Sequence, residues 1–231
     1  MDTKPQTSCI IPFFNEDERL YAVLDEAVKV KSLSEIICVD DGSREDHSQE
    51  VVRHFPDVKF IRLEKNGGKS GAVREGLKRA TGELIFLCDA DLRNLDHHEL
   101  EGAIDAMQAA DIDMLILRRV NSLILGKLFR GNVILSGTRI LPKRDLEAVL
   151  AAPVKGWQLE VAINQYMYTR GKKSVWMPYS AINTCKPQKR SLTDAVKQDF
   201  RTAKDVVTAA GLFNLIRLAL FFARKELKIN L

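Results

Sequence analysis

Two carboxylates spaced two residues apart, Asp89 and Asp91, close the apolar run Leu84-Ile85-Phe86-Leu87-Cys88. A run of that kind reads as a strand buried on both faces, which carries charge only at its end, and residues two apart on a strand point the same way. Asp89 and Asp91 can therefore address one ion. Carboxylate oxygens suit Mg²⁺ or Mn²⁺, and such ions usually complete their shell with water and substrate phosphates. The competing use is local, with Asp91 capping a helix that begins near 94–96.

Two further polar clusters follow apolar runs. Asp40-Asp41-Gly42-Ser43 comes after Ile36-Ile37-Cys38-Val39, where an acid can accept hydrogen bonds from a nucleobase or a ribose, or simply mark a turn. Asn66-Gly67-Gly68-Lys69-Ser70-Gly71 opens a helix with glycines that let backbone amides approach a phosphate. It lacks the spacing of a P-loop, which argues against an ATPase or GTPase. No dinucleotide glycine fingerprint follows the first apolar run either, where Pro12-Phe13-Phe14-Asn15-Glu16 stands.

These clusters need a scaffold, and the hydrophobic pattern supplies one. Short apolar runs at 8–12, 35–39, 58–63 and 84–88 alternate with helical patterns at 17–31, 48–54 and 70–80, the signature of a parallel sheet with crossover helices. In open α/β sheets ligands collect at the carboxyl ends of the strands. Pro12 to Glu16, Asp40 to Ser43, Asn66 to Gly71 and Asp89 to Asp91 all fall there. The second half is less regular: a helix at 97–110, a strand at 113–117, helices at 143–150 and 159–169, then a polar helix at 192–209 and an apolar segment at 212–222.

The set Cys9 to Glu16, Val39 to Ser43, Asn66 to Ala72, Ala80-Thr81-Gly82-Glu83 and Asp89-Ala90-Asp91 resembles glycosyltransferase family 2 in order and spacing over residues 8–92. The resemblance implies an α/β GT-A fold, a mostly parallel sheet flanked by helices, that binds a nucleoside-diphosphate sugar with Mg²⁺ or Mn²⁺. By that likeness Pro12, Phe14, Glu16, Asp40 or Asp41, Gly68, Lys69 and Ala72 form the nucleotide-sugar site. Asp89 lies near the sugar or ribose and Asp91 ligands the metal. Further on, Ile116-Leu117-Arg118-Arg119, Ser136-Gly137-Thr138-Arg139 and Gly156-Trp157-Gln158-Leu159-Glu160-Val161 are similar to blocks of the dolichol- or polyprenyl-phosphate sugar transferase branch, whose corresponding arginines contact phosphate. Thr138 replaces the usual aromatic there, and Arg118-Arg119 replaces a Ser-Arg pair. The expected division is a GT-A domain over 1–190, with a donor half at 8–92 and an acceptor half at 93–190, and basic amphipathic C-terminal helices over 191–231.

The distribution of charge bears on the acceptor. A neutral hydroxyl acceptor generally needs a positioned base. Between Asp113 and Asp194 the acids are Asp145, Glu147 and Glu160. The first two sit in a helix that reads as solvent-facing, leaving Glu160 as the candidate base or as a partner for an arginine. A phosphate monoester is already anionic and needs steering, which Arg118, Arg119, Arg130 and Arg139 can provide because guanidinium matches phosphate oxygens in bidentate geometry. The expected function is hexosyl transfer to a polyprenyl phosphate at the cytoplasmic face of a membrane. The alternatives are a soluble phosphorylated metabolite, a glycolipid hydroxyl, or nucleotide-sugar binding without catalysis.

Bulk properties agree. With 45% hydrophobic residues, the 231-residue chain can fill a substantial core. Met1 to Thr7 carry no signal-peptide pattern, so a cytoplasmic, peripherally membrane-bound protein is expected. Cys9, Cys38 and Cys88 sit in or beside apolar runs and form no Cys-x-x-Cys pair with each other or with Cys185, which reads as buried thiols. Residues 186–231 hold 10 basic and 4 acidic residues, against 25 and 27 in the remainder. The basic excess lies in the tail, where Leu212, Leu215, Ile216, Ala219, Leu220 and Ala223 repeat at helical spacing. That stripe is too short to span a bilayer and suits an interfacial helix or one packed on the domain's own core. No basic-aromatic pattern of a nucleic-acid module is present. His97-His98 read as first-turn helix residues, and Trp157 and Trp176 as core.

Overall fold

A computed structural model describes residues 4–16, 18–120, 131–152, 158–183 and 211–228. The first half alternates as expected: β1 (Thr7–Phe13), α1 (Glu18–Ala27), β2 (Leu33–Asp40), α2 (Ser48–His54), β3 (Val58–Arg62), α3 (Gly68–Arg79) and β4 (Leu84–Leu87). After β4 come β5 (Leu92–Arg93), α4 (His97–Ala109), β6 (Met114–Arg119), α5 (Gly131–Ile134), β7 (Arg139–Pro142), α6 (Lys143–Leu150) and α7 (Gln158–Thr169). The described chain closes with β8 (Ser174–Tyr179), β9 (Ile182–Asn183), α8 (Leu212–Phe221) and β10 (Lys225–Glu226).

Among the described residues the main sheet runs β10-β8-β6-β7-β4-β1-β2-β3, with β5 and β9 pairing separately. Within the main sheet every pairing is parallel except those of β7 with β4 and β6. Each residue of β1 is buried, because helices cover both faces of a parallel sheet and its strands lose the polar alternation of a one-sided sheet. Cys9 and Ile11 enter one core cluster and Ile10 the other. Cys9, Cys38 and Cys88 are buried free thiols, as expected.

The foot of the sheet is tied by Glu35. Its carboxylate accepts from Ser8 Oγ at 2.5 Å, Thr81 N at 2.6 Å and Thr81 Oγ1 at 2.7 Å, and pairs with Lys59 at 2.6 Å. A Cβ at Gly82 would lie 2.7 Å from both the backbone nitrogen and the hydroxyl of Ser8, so only glycine fits there. The Ala80-Thr81-Gly82-Glu83 block therefore holds the amino end of β4 and lies at the opposite end of the strands from the polar clusters.

Strands β7, β8 and β10 were not expected. β7 is only four residues long and reversed, and β8 carries Pro178, a residue that argues against a strand interior. The C-terminal helix is present, but β10 follows it and adds to the sheet edge against β8. The expected domain boundary at 190/191 and the polar helix at 192–209 lie outside the described residues.

Burial works against ionisation of Glu35, but Lys59, Ser8 and Thr81 outweigh it and hold its carboxyl at about 2. A depressed carboxyl stabilises the fold above its ordinary pKa and loses that contribution as pH falls through the lowered value. Glu35→Gln should therefore cost about 2–3 kcal/mol at pH 7, a penalty that shrinks as pH is lowered from 4.5 toward 2. Urea denaturation across that range checks it; a penalty independent of pH would contradict the assigned role.

Candidate active site

At the carboxyl ends of β1, β2 and β4 opens a cleft of about 280 Å³, lined by Pro12, Phe14, Glu16, Asp41, Lys69, Ala72, Asp89, Asp91, Arg119 and Glu160. Residues from both halves of the chain meet there. β4 ends at Leu87, so Asp89 and Asp91 sit in the turn beyond it, and this turn rather than strand alternation brings both into the cleft. The cap of α4 is Asp96, whose side chain accepts from His98 N at 2.8 Å, which removes the capping alternative for Asp91.

Lys69, in the first turn of α3, joins the first and second halves of the chain. Its ammonium lies 2.5 Å from Asp89 Oδ1 and 2.7 Å from Glu160 Oε1, the latter on the first turn of α7. Burial opposes charge on Lys69, but Asp89 and Glu160 more than offset this and raise its pKa. Burial likewise opposes ionisation of Asp89; the ammonium prevails and its carboxyl is held below the ordinary range. Glu160 is thus bound to a cation, with Oε2 buried and without a hydrogen-bond partner, a poor arrangement for a general base that must reach an acceptor.

Asp91 has the opposite electrostatics. Burial, then Asp89 and Glu16, push its carboxyl up to about 6, with Lys69 and Arg19 working the other way. Glu16 is itself salt-bridged to Arg19. Three carboxylates acting on one another in a half-enclosed mouth form an excess of negative charge that a hard divalent cation would relieve. The donor set fits Mg²⁺ or Mn²⁺, with Asp91 and Asp89 as the residues to hold it.

Asp41 and Asp40 divide in role. Asp41 faces the cleft and accepts from Gly67 N at 2.8 Å, linking the end of β2 to the glycine loop. Burial raises its carboxyl, while the amides of Gly67 and Gly68 lower it. Asp40 is fully buried; it accepts from Ser43 N at 2.7 Å and lies 3.6 Å from Arg62, building the turn that presents Asp41. Gly68 adopts φ +72° and serves the loop's conformation from outside the cleft lining.

The arginines separate as well. Arg118 and Arg119 are neighbours on β6 and point to opposite faces, as strand geometry requires. Arg119 lines the cleft and acts on Asp89. Arg118 instead stacks over Trp176 with its guanidinium carbon 3.9 Å from the ring centroid, away from the cleft lining. Arg139 is 0% exposed, held by Ser136 O and by Asn164 Oδ1 at 2.8 Å. Burial lowers it to about 10, with Glu160 and Asp89 opposing. It backs the site with positive charge and does not present a fork to an incoming phosphate. Arg130 and Trp157 lie outside the described residues.

Asp145, expected to face solvent, is 3% exposed: it accepts from Tyr166 Oη at 3.1 Å and pairs with Lys172 at 2.9 Å. It is absent from the cleft lining, so Glu160 remains the downstream acid there, though for a different reason than expected. Gly137 was overlooked as a site residue. A Cβ at that position would collide with the Asp89 carboxylate and the Lys69 ammonium. The Ser136-Gly137-Thr138-Arg139 motif contained the signal, but arginine drew the functional reading. Asp96, His97 and His98 bring possible ligand atoms within 4.8 Å of one another. Asp96 is spent as a cap, and His97 Nδ1 lies 2.9 Å from Glu26, outside the cleft.

The fold is GT-A, and its match to solved structures extends over most of the chain. Glucosyl-3-phosphoglycerate synthase from Mycobacterium tuberculosis, solved with Mn²⁺, UDP and phosphoglyceric acid, superposes with a TM-score of 0.70 at 16% identity, over 90% of this chain and 79% of that one. The family model "Glycosyl transferase family 2" matches residues 8–146, and the chain belongs to that family. Human dolichyl-phosphate β-glucosyltransferase is 33% identical over 119 residues, 45% of this chain and 37% of the human protein. Its counterpart from Dictyostelium discoideum is 27% identical over 153 residues, 58% and 47% of the two chains. Undecaprenyl-phosphate 4-deoxy-4-formamido-L-arabinose transferase from Yersinia pestis is 38% identical over 98 residues, 38% and 30%. The chain thus spans less than half the length of these relatives.

A carboxyl whose proton is held more tightly in the folded chain favours the fold below its ordinary pKa and loses that advantage as pH rises through the raised value, here about 6. In metal-free buffer at pH 7.5, Asp91→Asn should stabilise the fold by on the order of 1–3 kcal/mol, with the gain gone at pH 4. Thermal denaturation in EDTA reads this directly, and a destabilised variant at pH 7.5 would contradict the placement of Asp91 among acids. Gly137→Ala should displace the Lys69 ammonium and lower nucleotide-sugar affinity at least tenfold by calorimetry; unchanged affinity would mean that Lys69 and Asp89 do not shape the donor site.

Proposed function

We propose that the protein is a metal-dependent glycosyltransferase that moves a hexosyl group from a nucleoside-diphosphate sugar to a polyprenyl phosphate at the cytoplasmic face of a membrane. The observation that carries the reading is the cleft's division of charge. One wall is an acidic mouth of Asp91, Asp89 and Glu16, and Arg119 enters from β6, while Glu160 is already engaged by Lys69. The dolichyl- and undecaprenyl-phosphate relatives support the acceptor class.

A divalent cation held by Asp91 and Asp89 would neutralise the departing nucleoside diphosphate. Asp41 and Pro12, on neighbouring strand ends, receive the nucleoside. Lys69 keeps Asp89 ionised and directed at the sugar, and Gly137 leaves the space that the Asp89–Lys69 pair occupies. Arg119 holds the acceptor phosphate, whose oxygen forms the new bond to the anomeric carbon as the bond to the diphosphate breaks. A phosphate dianion needs no deprotonation, so the engaged state of Glu160 is no obstacle.

Purified protein given labelled UDP- or GDP-hexose with Mn²⁺ should label a polyprenyl phosphate far better than phosphoglycerate or a polyprenol. Arg119→Ala should lose at least 100-fold in kcat/KM, mostly through the acceptor. Transfer only to phosphoglycerate or to an alcohol would replace the lipid-phosphate reading with that acceptor. Donor binding without transfer to any of the three would make the protein a nucleotide-sugar binder.

A further inference from the structure

Helix α8 is apolar on nearly its whole circumference, and the fold uses only one side. Leu218, Phe222 and Ala223 are buried in the core and Ala219 is packed against it. Phe213 is 89% exposed, and Ile216, Leu220 and Phe221 are exposed as well. Of the stripe expected to bind membrane, Ala219 and Ala223 are thus spent on the protein's own core; the side chains of Leu212 and Leu215 lie outside the described set. The exposed face keeps Ile216 and Leu220 of that stripe and adds Phe213 and Phe221.

Basic residues share that face. At 100° per residue, Phe213, Arg217 and Leu220 fall within one quadrant of α8, flanked by Ile216 and Phe221, and Arg224 follows just past the helix end. Arg217, Arg224, Lys225 and Lys228 are exposed, with Glu226 the one acid among them. Arg217 lies over the Tyr168 ring at 4.6 Å, and Arg224 donates to Leu220 O at 2.6 Å, so both arginines are held beside the apolar side chains. Exposed aromatics level with arginines and lysines match the boundary between acyl chains and anionic headgroups, where cationic side chains reach up to phosphate. A protein partner would more often meet an apolar centre with the charge at its rim.

The position of the helix is as telling as its composition. α8 packs on α5 and α7. α5 leads directly into Leu135, which lines the cleft, and α7 begins with the turn that carries Glu160. A bilayer against the exposed face would lie beside the acceptor side of the cleft. Among the described residues no helix is long and apolar enough to cross a membrane.

We infer that Phe213, Ile216, Leu220 and Phe221, with Arg217 and Arg224, form a docking face for an anionic phospholipid surface. The choice of lipid rests on the lipid-phosphate acceptor proposed above, and vesicle binding measured without any substrate separates the two. Full-length protein should co-sediment with vesicles containing phosphatidylglycerol and much less with pure phosphatidylcholine. Phe213→Ser/Phe221→Ser and Arg217→Glu/Arg224→Glu should each weaken that binding at least tenfold. Both should keep transfer to a dispersed short-chain polyprenyl phosphate while losing transfer to a long-chain one embedded in vesicles. Equal vesicle binding by wild type and both variants would overturn the inference. So would wild-type protein that ignores vesicles and is dimeric in light scattering, with the dimer lost on Phe213→Ser/Phe221→Ser, since the face would then bind a second copy. Docking confirmed with no transfer to any lipid phosphate would retire the proposed reaction and leave the face standing.

Discussion

One ammonium group holds the cleft together. Lys69 is shared by Asp89, from the turn after β4, and Glu160, from α7, and the close approach of Lys69 and Asp89 to residue 137 leaves room only for glycine there. Three segments distant in sequence converge on a single charge. Stripping it away would leave Glu160, whose side chain is 2% exposed, as an uncompensated buried carboxylate, at a cost of roughly 3–5 kcal/mol. The pair is weak evidence for stability as such, because desolvation offsets much of the attraction. Its value is geometric: it fixes where Asp89 stands and sets which carboxylates remain to act on a ligand.

From that constraint the electrostatics divide. Asp89 is stabilised as an anion by Lys69; burial first, and then this fixed charge, raise the carboxyl of Asp91 to about 6. The two acids of one short motif thus come to differ because one has a resident cation and the other faces an acidic mouth. Arg139 and Arg119 add positive charge behind and beside the pair. The cleft is arranged so that added cationic charge is favoured on the Asp91 side and added anionic charge on the Arg119 side, which is the polarity that the proposed transfer requires.

The first half of the chain was legible because its signals are local. Apolar runs ending in Asp40-Asp41 and Asp89-Ala90-Asp91 mark strand ends in any parallel sheet, and a glycine loop before a helix marks a close backbone approach. The second half was less legible because its arrangement depends on strand direction and pairing. Arg118 and Arg119 look equivalent in sequence, yet only the direction of β6 decides that one stacks on Trp176 and the other lines the cleft. Arg139 reads as a phosphate ligand until β7 is seen to run antiparallel through the middle of the sheet, which buries its side chain. Asp145 reads as solvent-facing from its charged neighbours, and only Tyr166 and Lys172 reveal the buried site. The glycine at 137 is visible as a letter, but its meaning requires the Lys69–Asp89 pair beside it.

The central claim is that the acidic mouth around Asp91 is the cation site and that a nucleoside diphosphate completes it. Titration of the full chain with Mn²⁺, followed by electron paramagnetic resonance with and without UDP, tests this most directly. The account requires one Mn²⁺ site that tightens when UDP is present, is lost in Asp91→Asn and persists in a His97→Ala/His98→Ala variant. Mn²⁺ binding that survives Asp91→Asn, or that disappears instead with the histidine pair, would contradict it.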